Sequence, residues 1–175
     1  MTGIFSWAAA LLKRRKGNKK MTTKKMVKAA ILAAIYAALT LILAPISFGP
    51  VQLRVSEALT ILPIFSPIAI WGLTIGCLVS NLLGGFGVLD VVLGSFATLL
   101  GALGTRYFKS KPVLAALCPV ISNALIIGPM LYFVVPDSPA LLLNVLTVGV
   151  GELFSCVALG IPFYFLMKKH PKIFE

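Results

Sequence analysis

Apolar residues run in long blocks along this chain, with almost no polar alternation inside them. Six blocks stand out, at 26–44, 56–65, 68–83, 89–107, 112–135 and 141–167. The breaks between them are rich in proline and glycine, which end helices. Pro45 to Pro50 closes the first block, Pro63 and Pro67 separate the second from the third, and Gly84-Gly85-Phe86-Gly87 closes the third. Pro136-Asp137-Ser138-Pro139 separates the last two. Continuous apolar stretches near 20 residues predict helices in hydrocarbon. The pattern therefore predicts an all-α membrane protein with six transmembrane helices over 25–168. The second and third blocks are short for a core of about 30 Å. Short or broken helices survive where protein lines a cavity and satisfies the backbone, so they hint at a pocket. A re-entrant second block would lower the count.

Composition strengthens this reading. The chain is 59% hydrophobic and 12% charged, with a mean hydropathy of +1.00. A soluble domain carries about 25% charged residues. The net charge of +11 raises nucleic acid as a partner, but the positions of the bases argue against it. Nine lie between Lys13 and Lys28, three between Arg106 and Lys111, and three between Lys168 and Lys172. They flank apolar blocks, as cytoplasmic anchors do, and they suit contact with anionic lipid. With both termini cytoplasmic, the outer loops become 45–55, 84–88 and 136–140, and Arg54 is their only base. The expected location is a multi-pass arrangement in the bacterial cell membrane, embedded in the lipid bilayer.

Residues 1–24 read as a basic N-terminal extension, either an interfacial helix or a non-native segment, because Met21 offers an alternative start. Residues 169–175 read as a cytoplasmic tail. Cys77, Cys118 and Cys156 lie in apolar stretches with no C-x-x-C spacing, which predicts buried free thiols rather than a metal site.

The polar residues inside the blocks carry the functional signal. Gln52, Arg54, Glu57, Asn81, Asp90, Asn123, Asn144 and Glu152 come from five passes and fall in the outer half of the bundle. Intramembrane charges are costly and mark binding sites, pairs or cavities. The inner half is apolar, so the pattern predicts a blind outward-facing pocket rather than a channel, which needs polar groups along its length. Arg54 and Glu57, three apart, either pair on one helix face or meet a ligand; Glu152 has no base near it in sequence and either contacts ligand or meets Arg54 across the bundle. Each asparagine taken singly reads equally as interhelical glue. Ala29, Ala33 and Ala37 repeat every four residues beside a second row, Ala30, Ala34 and Ala38. Such a flat face suits either internal packing or docking on a partner helix.

No G-x-x-x-x-G-K-[ST] loop, H-E-x-x-H or G-x-S-x-G occurs, so these residues predict no P-loop ATPase, zinc protease or hydrolase elbow. An intramembrane enzyme using the acids, and an assembly protein with every polar group as glue, are the readings from other classes.

Three strings resemble a known family: 44–59 (Ala-Pro-Ile-Ser-Phe-Gly-Pro-Val-Gln-Leu-Arg-Val-Ser-Glu-Ala-Leu), Asn81-Leu82-Leu83-Gly84-Gly85 with Asp90, and Gly149-Val150-Gly151-Glu152-Leu153. Together with the alanine face they resemble the substrate-binding S components of energy-coupling-factor (ECF) transporters, in the QueT branch, over residues 25–168. The resemblance implies a six-helix S-component bundle and a queuosine precursor, a 7-deazaguanine, as substrate. It implies no catalytic residue, cofactor or bound metal. It further implies that Ala29, Ala33 and Ala37 dock on a transmembrane coupling protein with two ATPase subunits, and that 45–55 forms a lid. A carboxylate accepts the two-donor guanine edge. The expectation is that Glu152 or Glu57 takes that edge, and that the other, or Asp90, takes a cationic amine, with Phe48 or Tyr132 stacking.

Overall fold

A computed structural model of the chain describes residues 23–49 and 52–170. Among these residues every regular element is a helix. The α-helices are α1 (Thr23–Ile42), α2 (Ala44–Ser47), α3 (Ile68–Gly84), α4 (Val88–Tyr107), α5 (Pro112–Val134) and α6 (Leu141–Lys168). A 3-10 helix, Val55–Ile64, lies between α2 and α3, and α6 is wound as a π-helix over Leu153–Leu159. Helices α1, α4, α5 and α6 are long and apolar enough to cross a membrane, whereas the 3-10 helix and α3 are shorter. The basic extension 1–24 lies outside the described residues up to position 22, as does the tail beyond position 170.

Exposure is inverted relative to a soluble protein. Trp71, Ile75, Leu82, Phe133 and Phe165 face outward, while Arg54, Glu57, Asp90 and Glu152 are buried. Water would reverse that arrangement; a bilayer favours it. The protein is therefore membrane-integral.

The second block is 3-10 rather than α-helical. At about 2.0 Å per residue instead of 1.5 Å, ten residues reach about 20 Å rather than about 15 Å. Pro63 sits in its last turn, where a helix loses a donor. Arg106 of α4 completes that end, with Nη1 donating to Pro63 O at 3.0 Å and Ile64 O at 2.9 Å.

The alanine rows divide between inside and outside. Ala29, Ala33 and Ala37 are buried, and the Gly72-x-x-x-Gly76 step of α3 receives them. A β-carbon at Gly76 would stand 2.8 Å from Tyr36 Cβ and 2.9 Å from Ala33 O, and one at Gly72 would stand 2.9 Å from Ala29 O. The expectation that this row docks on a partner is thus corrected: close approach of α1 to α3 consumes it. Ala30, Ala34 and Ala38 are the exposed row.

An apolar groove of about 500 Å³ opens where α1 begins and α6 ends, walled by Ile31, Leu59, Leu62, Phe163 and Met167 with Lys28 beside them. None of the eight polar residues singled out in the sequence lines it.

Candidate functional site

All eight of those polar residues are buried, and most of them gather around two foci. At the first, Arg54 Nη2 stands 3.7 Å from Asp90 Oδ1. The guanidinium carbon lies 5.2 Å from the centre of the Phe48 ring, within reach of a cation–π contact. Phe48 in turn meets Phe86 edge-on. Asp90 opens α4, where its Oδ2 accepts the Phe86 N–H at 3.2 Å. Asn81 Nδ2 donates to the Asp90 carbonyl at 3.0 Å. Glycine makes this possible, because a β-carbon at Gly94 would collide with Asn81 Nδ2. The sequence suggested Glu57 or Glu152 as the partner of Arg54; the ion pair is formed with Asp90 instead.

Several polar atoms here are buried and have no hydrogen-bond partner: Gln52 Nε2, Arg54 Nε and Nη2, Asn81 Oδ1 and Asp90 Oδ1. Such atoms are rare and expensive in native structures. Gln52 also holds a left-handed backbone, φ 47°, a conformation that costs energy for a residue other than glycine and clusters at functional sites.

The second focus lies where the 3-10 helix meets the π-helical part of α6. The ligand atoms of Glu57, Glu152 and Cys156 all fall within 4.8 Å of one another, a spacing that could hold a cation. Tyr36 Oη donates a short hydrogen bond to Glu57 Oε1. Glu57 Oε2 has no partner. Cys156 Sγ donates to Glu152 Oε2 at 3.3 Å, and Thr60 Oγ1 donates to Glu57 O at 2.5 Å. Thr98 stands beside Glu57 and Asn123 beside Glu152. Thr98 Oγ1 is buried without a partner.

Asn144 belongs to neither focus. Its Nδ2 donates to Ser138 Oγ at 2.8 Å and Pro139 O at 3.1 Å, tying the turn that precedes α6. Tyr132 is exposed and packs edge-on against Phe133, so Phe48 is the ring at the site. Tyr36 and Thr98 are functional candidates that the sequence reading missed. Cys156 was read only as a buried thiol, although its spacing of four from Glu152 places both on one helix face.

The sequence model described as QueT transporter matches residues 26–169. A curated relative, "Queuosine precursor transporter QueT" of Lactococcus lactis subsp. cremoris (strain MG1363), is 44% identical over 97 residues. That match covers 52% of this chain and 57% of the relative, so it spans little more than half the relative's length. No solved structure matches the chain.

Proposed function

We propose, since this chain belongs to the QueT transporter family, that it is the substrate-binding S component of an energy-coupling-factor transporter. In this reading it captures a queuosine precursor of the 7-deazaguanine type from outside the cell. Its six apolar helical segments cross the bacterial cell membrane with both termini in the cytoplasm. In this arrangement the segment ends that carry Lys24, Lys28, Arg106 and Lys168 would lie on the cytoplasmic side, in keeping with the positive-inside rule. The name of the Lactococcus relative supports the substrate class.

The observation that carries the reading is the set of unpartnered atoms around Arg54 and Asp90. Asp90 Oδ1 and Asn81 Oδ1 are acceptors suited to the N1–H and exocyclic amine of a guanine-like edge. Arg54 and Gln52 supply donors for O6, the geometry by which proteins read guanine. Phe48 offers a ring face for stacking. The resemblance led to the expectation that Glu57 or Glu152 takes that edge; the free acceptors favour the Asp90 focus.

Import would be driven by a coupling protein and two ATPase subunits. The exposed row Ala30, Ala34 and Ala38 is the surface for close helix docking. Segment 45–55, with the strained Gln52, would act as the lid. Calorimetry on the purified protein tests the substrate. Binding of a 7-deazaguanine, with none of flavin or thiamine, is the expected result. Tight binding of flavin or thiamine with no deazaguanine bound would overturn the substrate and keep the S-component reading.

A further inference from the structure

We infer that the apolar groove between α1, the 3-10 helix and the end of α6 binds one acyl chain of an anionic phospholipid, whose phosphate is held by lysines at the rim. The inference needs only the membrane-integral fold and is independent of the substrate reading.

Helix geometry builds the groove. Leu59 and Leu62 are three apart, and side chains at that spacing eclipse in a 3-10 helix, so the two stack as a buried floor. Ile31 and Ile35 of α1, four apart, form one wall, and Phe163 and Met167 of α6, also four apart, form the other. Both α1 and the end of α6 pack on the 3-10 helix, which lies between them. Size then selects the occupant. An apolar cavity of about 150 Å³ takes one benzene ring. At about 500 Å³ the groove has room, on that scale, for on the order of twenty carbons, which is one acyl chain. The α1 wall from Lys28 to Ile35 runs about 10 Å. A second helix of about 10–12 Å diameter laid along it would need about twice the volume.

Charge selects the headgroup. Lys28 lines the groove and is half-buried, a placement in which a lysine covers apolar surface with its stem while its ammonium reaches the interface. Lys24 lies one turn earlier on the same face of α1, and Lys168 follows Met167; both are exposed. The acids among the described residues lie elsewhere. Glu57, Asp90 and Glu152 belong to the two foci, and Asp137 sits in the turn before α6, at the other end of that helix from Lys168. None of them lines the groove. The rim is therefore positive, and lysines near an anionic lipid surface each strengthen binding. A zwitterionic lipid matches the apolar walls equally well but brings no net charge to the rim.

The test measures lipid binding to the full chain by native mass spectrometry, with dioleoyl phosphatidylglycerol against dioleoyl phosphatidylcholine. One phosphatidylglycerol should be held about tenfold more tightly than phosphatidylcholine. Lys28→Gln should weaken phosphatidylglycerol about fivefold, the scale of one lysine at an anionic surface, and leave phosphatidylcholine unchanged. Ile35→Trp fills the groove from an exposed position and should weaken both lipids. Phosphatidylglycerol with a photoreactive tail should label peptides carrying Ile31 or Met167 in preference to those carrying the outward-facing Phe133, which any surrounding lipid touches. Equal binding of the two lipids, or binding that neither substitution changes, would overturn the site. So would tail labelling spread evenly over the outward faces. In whole membranes, a photoreactive residue replacing Met167 should attach to lipid; attachment to another membrane protein in its place would give the groove to a partner and overturn the inference. The wild-type preference and labelling pattern need no variant to fold, so the inference stays testable if a substitution proves unstable.

Discussion

Asp90→Asn isolates the charge of the Arg54–Asp90 pair from nearly everything else at that focus. The asparagine side chain can still accept the Phe86 N–H through its carbonyl oxygen, and the main-chain acceptor for Asn81 is untouched. What disappears is the negative charge that faces Arg54. Two unit charges 3.7 Å apart attract by about 4.5 kcal/mol at an effective dielectric constant of about 20. Leaving one member of a buried pair uncompensated costs about 3–5 kcal/mol, and Arg54 Nε and Nη2 have no other partner to fall back on. Asp90→Asn and Arg54→Gln should each lower stability by about 3 kcal/mol or more. The double variant should lose far less than the sum, since it removes both charges together. Unfolding of the purified protein in mixed micelles, followed by tryptophan fluorescence from Trp71, measures the three changes. Losses below about 1 kcal/mol in both single variants, adding linearly in the double, would refute the pair as an energetic unit.

Three further outcomes follow from the packing. Gly76→Ala forces a β-carbon to within 2.8 Å of Tyr36 Cβ and 2.9 Å of Ala33 O; overpacking of this kind costs about 1–3 kcal/mol, read as a lowered midpoint of unfolding. Arg106→Ala removes two charge-assisted bonds to the end of the 3-10 helix, each worth about 1.5–3 kcal/mol, and amide exchange should rise selectively in the turn joining that helix to α3. Asn144→Ala releases Ser138 and Pro139 and should cost about 1 kcal/mol of stability while leaving the affinity for every deazaguanine probe unchanged in calorimetry.

Helix boundaries were legible wherever chemistry punctuates the chain. The expected blocks 89–107, 112–135 and 141–167 end within one residue of α4, α5 and α6, because glycine, proline and lysine clusters mark those ends. The winding of the second segment was not legible: an apolar run of ten residues reads alike as 3-10 or α, and the bonds from Arg106 that fix its end come from a residue more than forty positions away. The convergence of acids and amides was visible as composition. Pairing was hidden, since Arg54 and Asp90 lie on different segments and meet only in the folded bundle. Likewise, the two alanine rows are equivalent in sequence. Only Gly72 and Gly76 on α3 decide which of them turns inward.

The 3-10 helix also constrains how the protein is made. It spans about 20 Å at most and carries Glu57, so it is too short and too polar to be recognised by the insertion machinery as a membrane segment in its own right. In the six-span arrangement it enters the bilayer as a guest of its neighbours, once α1 offers the Tyr36 hydroxyl and α3 has passed through. The last hydrogen-bond donor to Glu57, Cys156 in the π-wound stretch of α6, is synthesised about a hundred residues later. Assembly order is thereby built into the chain: the ribosome must nearly finish before the charged floor of the site can close, and a product stalled before α6 would expose Glu57 to quality-control proteases.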